Sequence, residues 1–362
     1  MLRKLKYIVP TLVLVLALLL AACAPAVEGE QTNTPPAETK PVATDGVESE
    51  EPSEPADTEP GTEVEGTEVE IEDAHGTVSV PLRPETVVSL DSRSFEVLEH
   101  WGIKLAAAPK AVMPEGSAYV ADDSVLDIGD HREPNLEIIA AVQPDLVIIG
   151  QRFATYYDEI KALVPQAAII DVDFDVSEAA ATPGENLING LKSSTLNLGK
   201  IFDKNEEAAQ LVSEFDQAVT NVKSAYNGSD RIMSVLVSGG TIGFSAPLAG
   251  RVWGPLYDIF EWVPALEVDG ASSDHKGDDI HVEAIAQSNP DWIFVLDRDA
   301  AVSSTGDSAP AQDVIDDSEA LQNTTAIVED QIVYAPHDTY TSESIHTYLE
   351  LFKDLATAFN KN

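Results

Sequence analysis

Apolar residues recur at three- and four-residue steps through Ala208, Leu211, Val212, Phe215, Val219 and Val222, a stripe that predicts one long amphipathic helix from Asp203 to Tyr226. Asp203, with Glu206 three positions on, predicts a capping box at its start, and Asn227-Gly228 predicts its stop. At 1.5 Å per residue such a helix is about 35 Å long, enough to cross from one lobe of a protein to another.

On either side of this helix one pattern occurs twice. LEIIAAVQPDLVIIGQR (Leu136 to Arg152) and VEAIAQSNPDWIFVLDR (Val282 to Arg298) align without a gap, pairing Glu137 with Glu283, Ala140 with Ala286, Pro144 with Pro290, Asp145 with Asp291 and Arg152 with Arg298. Each copy predicts a short helix, a Pro-Asp turn, a buried apolar strand and an arginine where the strand ends. Strand-like runs at Thr86 to Leu90, Ala168 to Val172, Arg231 to Val237 and Gln331 to Ala335 alternate with helical runs at Ser94 to His100, Tyr156 to Val164, Asn186 to Phe202 and Val252 to Trp262. Thr241 to Arg251 reads as a Gly/Ser/Ala-rich loop and Thr341 to Phe359 as the closing helix. The alternation predicts an α/β fold of two Rossmann-like lobes with mostly parallel sheets, joined by one long backbone helix. The first lobe is expected over residues 74–202, the bridge over 203–227 and the second lobe over 228–362.

The start of the chain is patterned differently. Arg3, Lys4 and Lys6 precede an apolar run from Ile8 to Leu20, and Leu20-Ala21-Ala22-Cys23 ends in small residues, which predicts a removed signal peptide over residues 1–22. The apolar run is short for a membrane span. Cys23 is the only cysteine, so no internal disulfide can form, and its place resembles a bacterial lipobox. That resemblance implies a lipid on Cys23 holding the protein to the outer face of the cell membrane. Residues 24–73 carry 16 acids and one lysine with few large apolar side chains, so 23–73 is expected to be a lipidated cysteine followed by a disordered acidic tether.

Charge then narrows the partners. The formal net charge is −42, and without the first 73 residues it is still −30, from 47 acids against 17 bases. A field of that sign disfavours nucleic acid and anionic membrane surfaces. No G-x-S-x-G, H-E-x-x-H or P-loop motif occurs, which argues against an enzyme. In this acidic body the arginines stand out: Arg83, Arg93, Arg132, Arg152, Arg231, Arg251 and Arg298. Ligands of open α/β sheets sit beyond the carboxyl ends of the strands, and the repeat puts Arg152 and Arg298 there in both lobes. Arg251 lies in the Gly-rich loop of the second lobe. Converging guanidiniums need partners: either an anionic ligand or, for Arg298, a neighbour such as Asp297 or Asp299.

The segments EPNLEIIAAVQPDLVIIGQR, SAPLAGRVWGPLYDIF and NPDWIFVLDR resemble those of the helical-backbone, class III periplasmic-binding-protein-like lipoproteins that serve bacterial iron ABC importers. The resemblance runs from about Val78 to the C-terminus and is strongest with the subgroup that binds ferric catecholate or mixed catecholate-citrate siderophores, of the enterobactin and petrobactin type. It implies that Arg152, Arg251 and Arg298 contact the catecholate oxygens of an Fe(III)-siderophore complex, that no cofactor is needed, and that the monomeric protein delivers its cargo to an ABC permease. It also implies that His275 and Tyr340 complete the iron shell when the siderophore supplies only four donors. Lys276 departs from the glycine usual after that histidine. Docking on the permease through surface carboxylates would involve Asp158 or Glu159 and Asp313 or Asp316. Two alternatives remain open from the residues: haem or a corrinoid in the same fold, and a direct metal-ion receptor built from His275, Asp278, Asp279 and His281.

Overall fold

The computed structural model describes residues 67–302 and 309–361. The expected signal peptide, Cys23 and the tether up to residue 66 lie outside the described residues. Among the described residues no helix is long and apolar enough to cross a membrane.

The first described element corrects the end of the expected tether. Strands β1 (Glu68–Asp73) and β2 (Gly76–Pro81) pair as an antiparallel hairpin. Val69 and Ile71 alternate with Glu68, Glu70 and Glu72, and the period of two sends Ile71 into the core while the acids face water. The high charge of this stretch masked its alternation.

The first parallel sheet follows, built from β3 (Val87–Ser89), α1 (Ser92–His100), β4 (Ala107–Ala108), α2 (Ala118–Ala121), β5 (Leu126–Asp127), α3 (Leu136–Val142), β6 (Leu146–Ile149), α4 (Tyr157–Leu163) and β7 (Ala168–Asp171). Its strand order is β5-β4-β3-β6-β7. Helices α5 (Pro183–Ile201) and α6 (Asn205–Ala225) then lead to the second sheet. That sheet comprises β8 (Arg231–Ser238), β9 (Thr241–Phe244), α7 (Gly254–Phe260), β10 (Val263–Pro264), α8 (Val282–Ser288), β11 (Trp292–Asp297), α9 (Arg298–Val302), α10 (Ala311–Asp316), α11 (Thr325–Val328) and β12 (Ile332–Tyr334). The order β10-β8-β11-β12 is parallel, and β9 runs antiparallel beside the end of β8, where a loop was expected. The chain closes with α12 (Thr339–Ser342) and α13 (Ile345–Phe359).

The repeat is realised atom by atom. Gln143 and Asn289 end α3 and α8 in the left-handed region, at φ 48° and 45°. Asp145 Oδ2 accepts the backbone N–H groups of Glu85 and Thr86 at 3.0 and 2.9 Å, and Asp291 Oδ2 accepts that of Arg231 at 2.7 Å. Each Pro-Asp turn thus ties the repeat strand to the strand beside it. Both repeat strands are buried on both faces: Leu146 and Ile148 join the central core, as do Phe294 and Leu296, while Val147 and Ile149, and Ile293 and Val295, face separate outer clusters.

Helix α6 begins at Asn205, so the expected capping box at Asp203 is not formed. Asp203 turns the chain at φ 57°, and its carboxylate lies 3.5 Å from Arg83 instead. Arg83 N donates to Ile201 O at 2.8 Å, which fixes the α5–α6 turn beside the first sheet. At the other end Gly184 N reaches Asp258 Oδ2 of α7 at 3.0 Å, and Tyr226 O–H accepts from Val263 N at 3.0 Å. Both helices therefore run between the two sheets, and Leu191, Leu198, Leu211, Phe215 and Val222 pack with Phe352 and Leu355 of α13 in one core.

The closing helix is also interrupted. Glu343, at φ 47°, separates α12 from α13, and Ser344 Oγ accepts Thr347 N at 3.1 Å as the new N-cap. This break turns the Glu343 carboxylate inward.

Candidate functional site

Arg152 is placed by the turn after β6. Gly150 leaves that strand against the buried Asp91 carboxyl, where a Cβ would come within 2.7 Å of Oδ1, and Gln151 then takes φ 45°. Arg298 is the first residue of α9, directly after β11. Arg251 stands in the loop before α7. The structure brings all three to one cleft of about 990 Å³, together with His275 and Tyr340.

The three guanidiniums are not equivalent. Arg251 Nη2 donates to Glu343 Oε1 at 2.6 Å and to the Tyr340 carbonyl at 2.9 Å, with Nε on the same Oε1 at 3.0 Å. Burial is the largest single influence and opposes the charge of Arg251, yet Glu343, Tyr340 and Tyr348 together outweigh it and raise the pKa. Burial likewise pushes against the Glu343 charge, and Arg251 and Arg93 together hold that carboxyl below its usual range. Arg298 Nη1 donates to Ser238 Oγ at 3.3 Å and lies 3.8 Å from Asp299 Oδ1, while its Nε is buried without a partner. Asp299 also accepts Gly239 N at 2.5 Å. Arg152 has no hydrogen bond or ion pair among the described residues, and burial first, then the charge of Arg251, lower its pKa. The three arginines of the expected triad therefore share one cleft with different partners: Arg251 is paired with a glutamate, Arg298 lies beside an aspartate, and Arg152 has no hydrogen bond or ion pair among the described residues.

Tyr340 lies in α12, and its residue is 5% exposed. Its ring centroid sits 4.1 Å from the Arg251 guanidinium carbon and 5.4 Å from that of Arg298, so it stacks beneath both cations. His275 is exposed, 3.8 Å from Asp274, on a loop pinned by mutual backbone hydrogen bonds between Phe244 and Asp278. Gly243 permits that approach, because a Cβ there would strike the Lys276 carbonyl. Asp278 spends its carboxylate on Ser272, and among the described residues His275, Asp278, Asp279 and His281 do not come together as a metal-ligand cluster. That removes the geometric basis of the direct metal-ion receptor. Asp158 and Glu159 on α4 and Asp313 and Asp316 on α10 are all exposed.

Sequence reasoning missed part of the lining. Lys110 and Arg132 also face the cleft, so its lining holds Lys110, Arg132, Arg152, Arg251 and Arg298 against Glu115, Asp130 and Asp338. Cations outnumber carboxylates here in a chain of net charge −42. Both residues follow first-sheet strand ends, Lys110 after β4 and Arg132 after β5, but those strands are only two residues long and gave no readable pattern. His131 completes this edge; burial, then Arg152, holds its pKa below the ordinary histidine value.

Beneath the site Arg93 lies 3.6 Å from Asp173 and 3.7 Å from Glu343, with its guanidinium over Phe174. Asp91, 1% exposed, has both carboxyl oxygens without hydrogen-bond partners, and burial pushes its pKa up to about 7 despite Arg93. A raised folded-state pKa contributes stability below the unfolded value of about 3.9 that is lost as pH rises through about 7. Asp91→Asn removes this dependence, so its advantage over the parent is expected to grow by about 2–3 kcal/mol from pH 5 to pH 8. Urea denaturation at the two pH values checks it, and a constant difference rules out Asp91 as the source.

Two α/β lobes whose strand-end loops face each other across a cation-rich cleft have the architecture of a solute-binding protein. The chain belongs to the periplasmic binding protein family, whose sequence pattern matches residues 87–339. Among its relatives is the petrobactin-binding protein YclQ of Bacillus subtilis, 26% identical over 294 residues that cover 80% of this chain and 86% of that one. The ferric-anguibactin-binding protein FatB of Vibrio anguillarum is 29% identical over 234 residues, 64% of this chain and 69% of the relative. The catecholate-siderophore-binding protein VctP of Vibrio cholerae shares the fold with a TM-score of 0.67 at 23% identity, over 80% of this chain and 99% of that one.

Proposed function

We propose that the protein is an extracytoplasmic binding protein that captures a ferric siderophore, of catecholate or mixed catecholate-citrate type, and delivers it to an ABC permease. The observation that carries this is the reversal of charge in the cleft: an acidic chain gathers five cations at one mouth, and one of them, Arg152, has no hydrogen bond or ion pair among the described residues. A cleft of about 990 Å³ is at the upper end of the usual range for small-molecule sites. Fe(III) is a hard ion already satisfied by catecholate oxygens, so the protein needs only to recognise the charge and shape of the chelate. Arg152 and Arg298 donate to its outer oxygens, and Arg251, held by Glu343, braces Tyr340. The petrobactin-binding and anguibactin-binding relatives support the same cargo class.

The two lobes grip the complex from opposite sides, and helices α5 and α6 between their sheets limit closure. The protein works as a monomer held to the membrane by a lipid on Cys23. The exposed Asp158 or Glu159 and Asp313 or Asp316 meet the permease. A titration panel tests the cargo: ferric catecholates are expected to bind, while ferric hydroxamates, haem, cobalamin and bare Zn²⁺ bind far more weakly in the cleft. Preference for haem or cobalamin overturns the proposal.

His275 and Tyr340 supply iron ligands only where the siderophore leaves two positions open. His275→Ala is therefore expected to shift the charge-transfer band of a tetradentate ferric complex and to leave a hexadentate one unchanged. Visible spectra of both complexes decide it; an unchanged tetradentate spectrum removes His275 from the iron shell.

A further inference from the structure

A second group of metal-binding side chains lies outside the cleft lining. Glu96 and His100 stand four residues apart in α1, on one face of the helix, and His346 is the second residue of α13. One donor atom from each lies within 4.8 Å of the other two. His100 Nδ1 is 2.8 Å from the Glu96 carbonyl oxygen and so donates to it, which makes Nε2 the nitrogen that the neutral ring can offer to a metal. Metal-bound histidines are commonly oriented in this way, by donating their other ring N–H to a carbonyl. The His346 ring stacks on that of His100 at 4.2 Å, and its Nε2 is buried with no hydrogen-bond partner among the described residues. A buried imidazole nitrogen without a partner is a cost that the fold leaves uncompensated.

The carboxylate is oriented too. Glu96 Oε2 accepts the hydroxyls of Ser344 and Thr347, which belong to the cap and first turn of α13. Those bonds hold it toward the two imidazoles and already link α1 to α13. Metal–ligand bonds of about 2.0–2.2 Å put tetrahedral donors about 3.4 Å apart. The stacked rings must also tilt out of their parallel arrangement so that both Nε2 lone pairs point at one ion.

We propose that Glu96, His100 and His346 bind a divalent transition-metal ion such as Zn²⁺, and that the ion clamps α1 of the first lobe to the start of α13. Two imidazoles and one carboxylate suit Zn²⁺, Co²⁺ or Ni²⁺ and not Mg²⁺ or Ca²⁺, which take oxygen ligands. Three protein donors leave a fourth position for water, on the side of the exposed His100. The site is separate from the iron chelate of the cleft, because none of its residues lines that space.

Co²⁺ titration of the metal-stripped protein, in the absence of siderophore, tests this. One equivalent is expected to give the intense visible d–d bands of a four-coordinate ion, and Zn²⁺ is expected to displace it and raise the melting temperature. His100→Gln and His346→Gln should each weaken Co²⁺ binding at least about tenfold, since even outer-shell partners of metal ligands are worth that much. His100 is exposed, so its glutamine variant keeps the test valid if His346→Gln disturbs α13. Cobalt bands that persist in His100→Gln but vanish in His275→Gln place the ion in the cleft and overturn the proposal. Absence of both the bands and the melting shift in the parent protein overturns it equally, and leaves the siderophore titration unaffected.

Discussion

Alanine at position 152 is expected to weaken binding of a ferric catecholate by about 1.5–3 kcal/mol, the range for hydrogen bonds to charged groups, without lowering the melting temperature. Among the described residues this side chain has no ion-pair or hydrogen-bond partner: burial first and then Arg251 oppose its ionisation, and Glu343 and Tyr340 favour it only through space. Its positive charge is available to an anion from outside, and its planar fork suits paired oxygens. Lysine restores a point charge without the fork, so Arg152→Lys is expected to recover only part of the affinity. Calorimetric titration reads the affinity, and a thermal melt of the same sample reads the stability. If the alanine variant binds as the parent does, Arg152 is not a ligand contact; if it melts early, the residue is structural.

Arg251→Ala is expected to fail in the opposite manner, losing about 3–5 kcal/mol of folding stability, the cost of leaving one member of a buried ion pair alone. The charge left behind is Glu343, 8% exposed, whose Oε1 takes two bonds from Arg251. Arg93, at 3.7 Å from the other oxygen, compensates in part and places the loss near the lower end of that range. Adding Glu343→Gln removes the stranded charge, so the double variant is expected to regain most of the stability while ligand affinity stays reduced. Urea denaturation of the parent, single and double variants checks this. If the double variant is no more stable than the single, Arg251 is not there to neutralise Glu343.

Arg152 and Arg298 were legible because each ends a copy of one segment, and local chemistry specifies that segment completely. A left-handed cap ends the helix, a Pro-Asp turn ties two strands, and the apolar run is buried on both faces. Lys110 and Arg132 occupy comparable strand-end positions, but β4 and β5 are too short to leave a periodic trace. Strand β1 was hidden for a related reason: its outward acids made an alternating pattern look like part of the tether.

The amino-acid order alone determined the α/β class, the paired segments and the candidacy of the arginines, since these depend on turn chemistry, alternation and spacing within a few residues. Only the tertiary structure decided how much charge each arginine offers. Arg251 meets its glutamate across 92 positions of sequence, and among the described residues Arg152 forms no ion pair or hydrogen bond, feeling the same Glu343 only through space. Whether a buried charge is neutralised depends on which side chains share its low-dielectric surroundings. Folding alone settles those neighbours, bringing together residues that are remote along the chain.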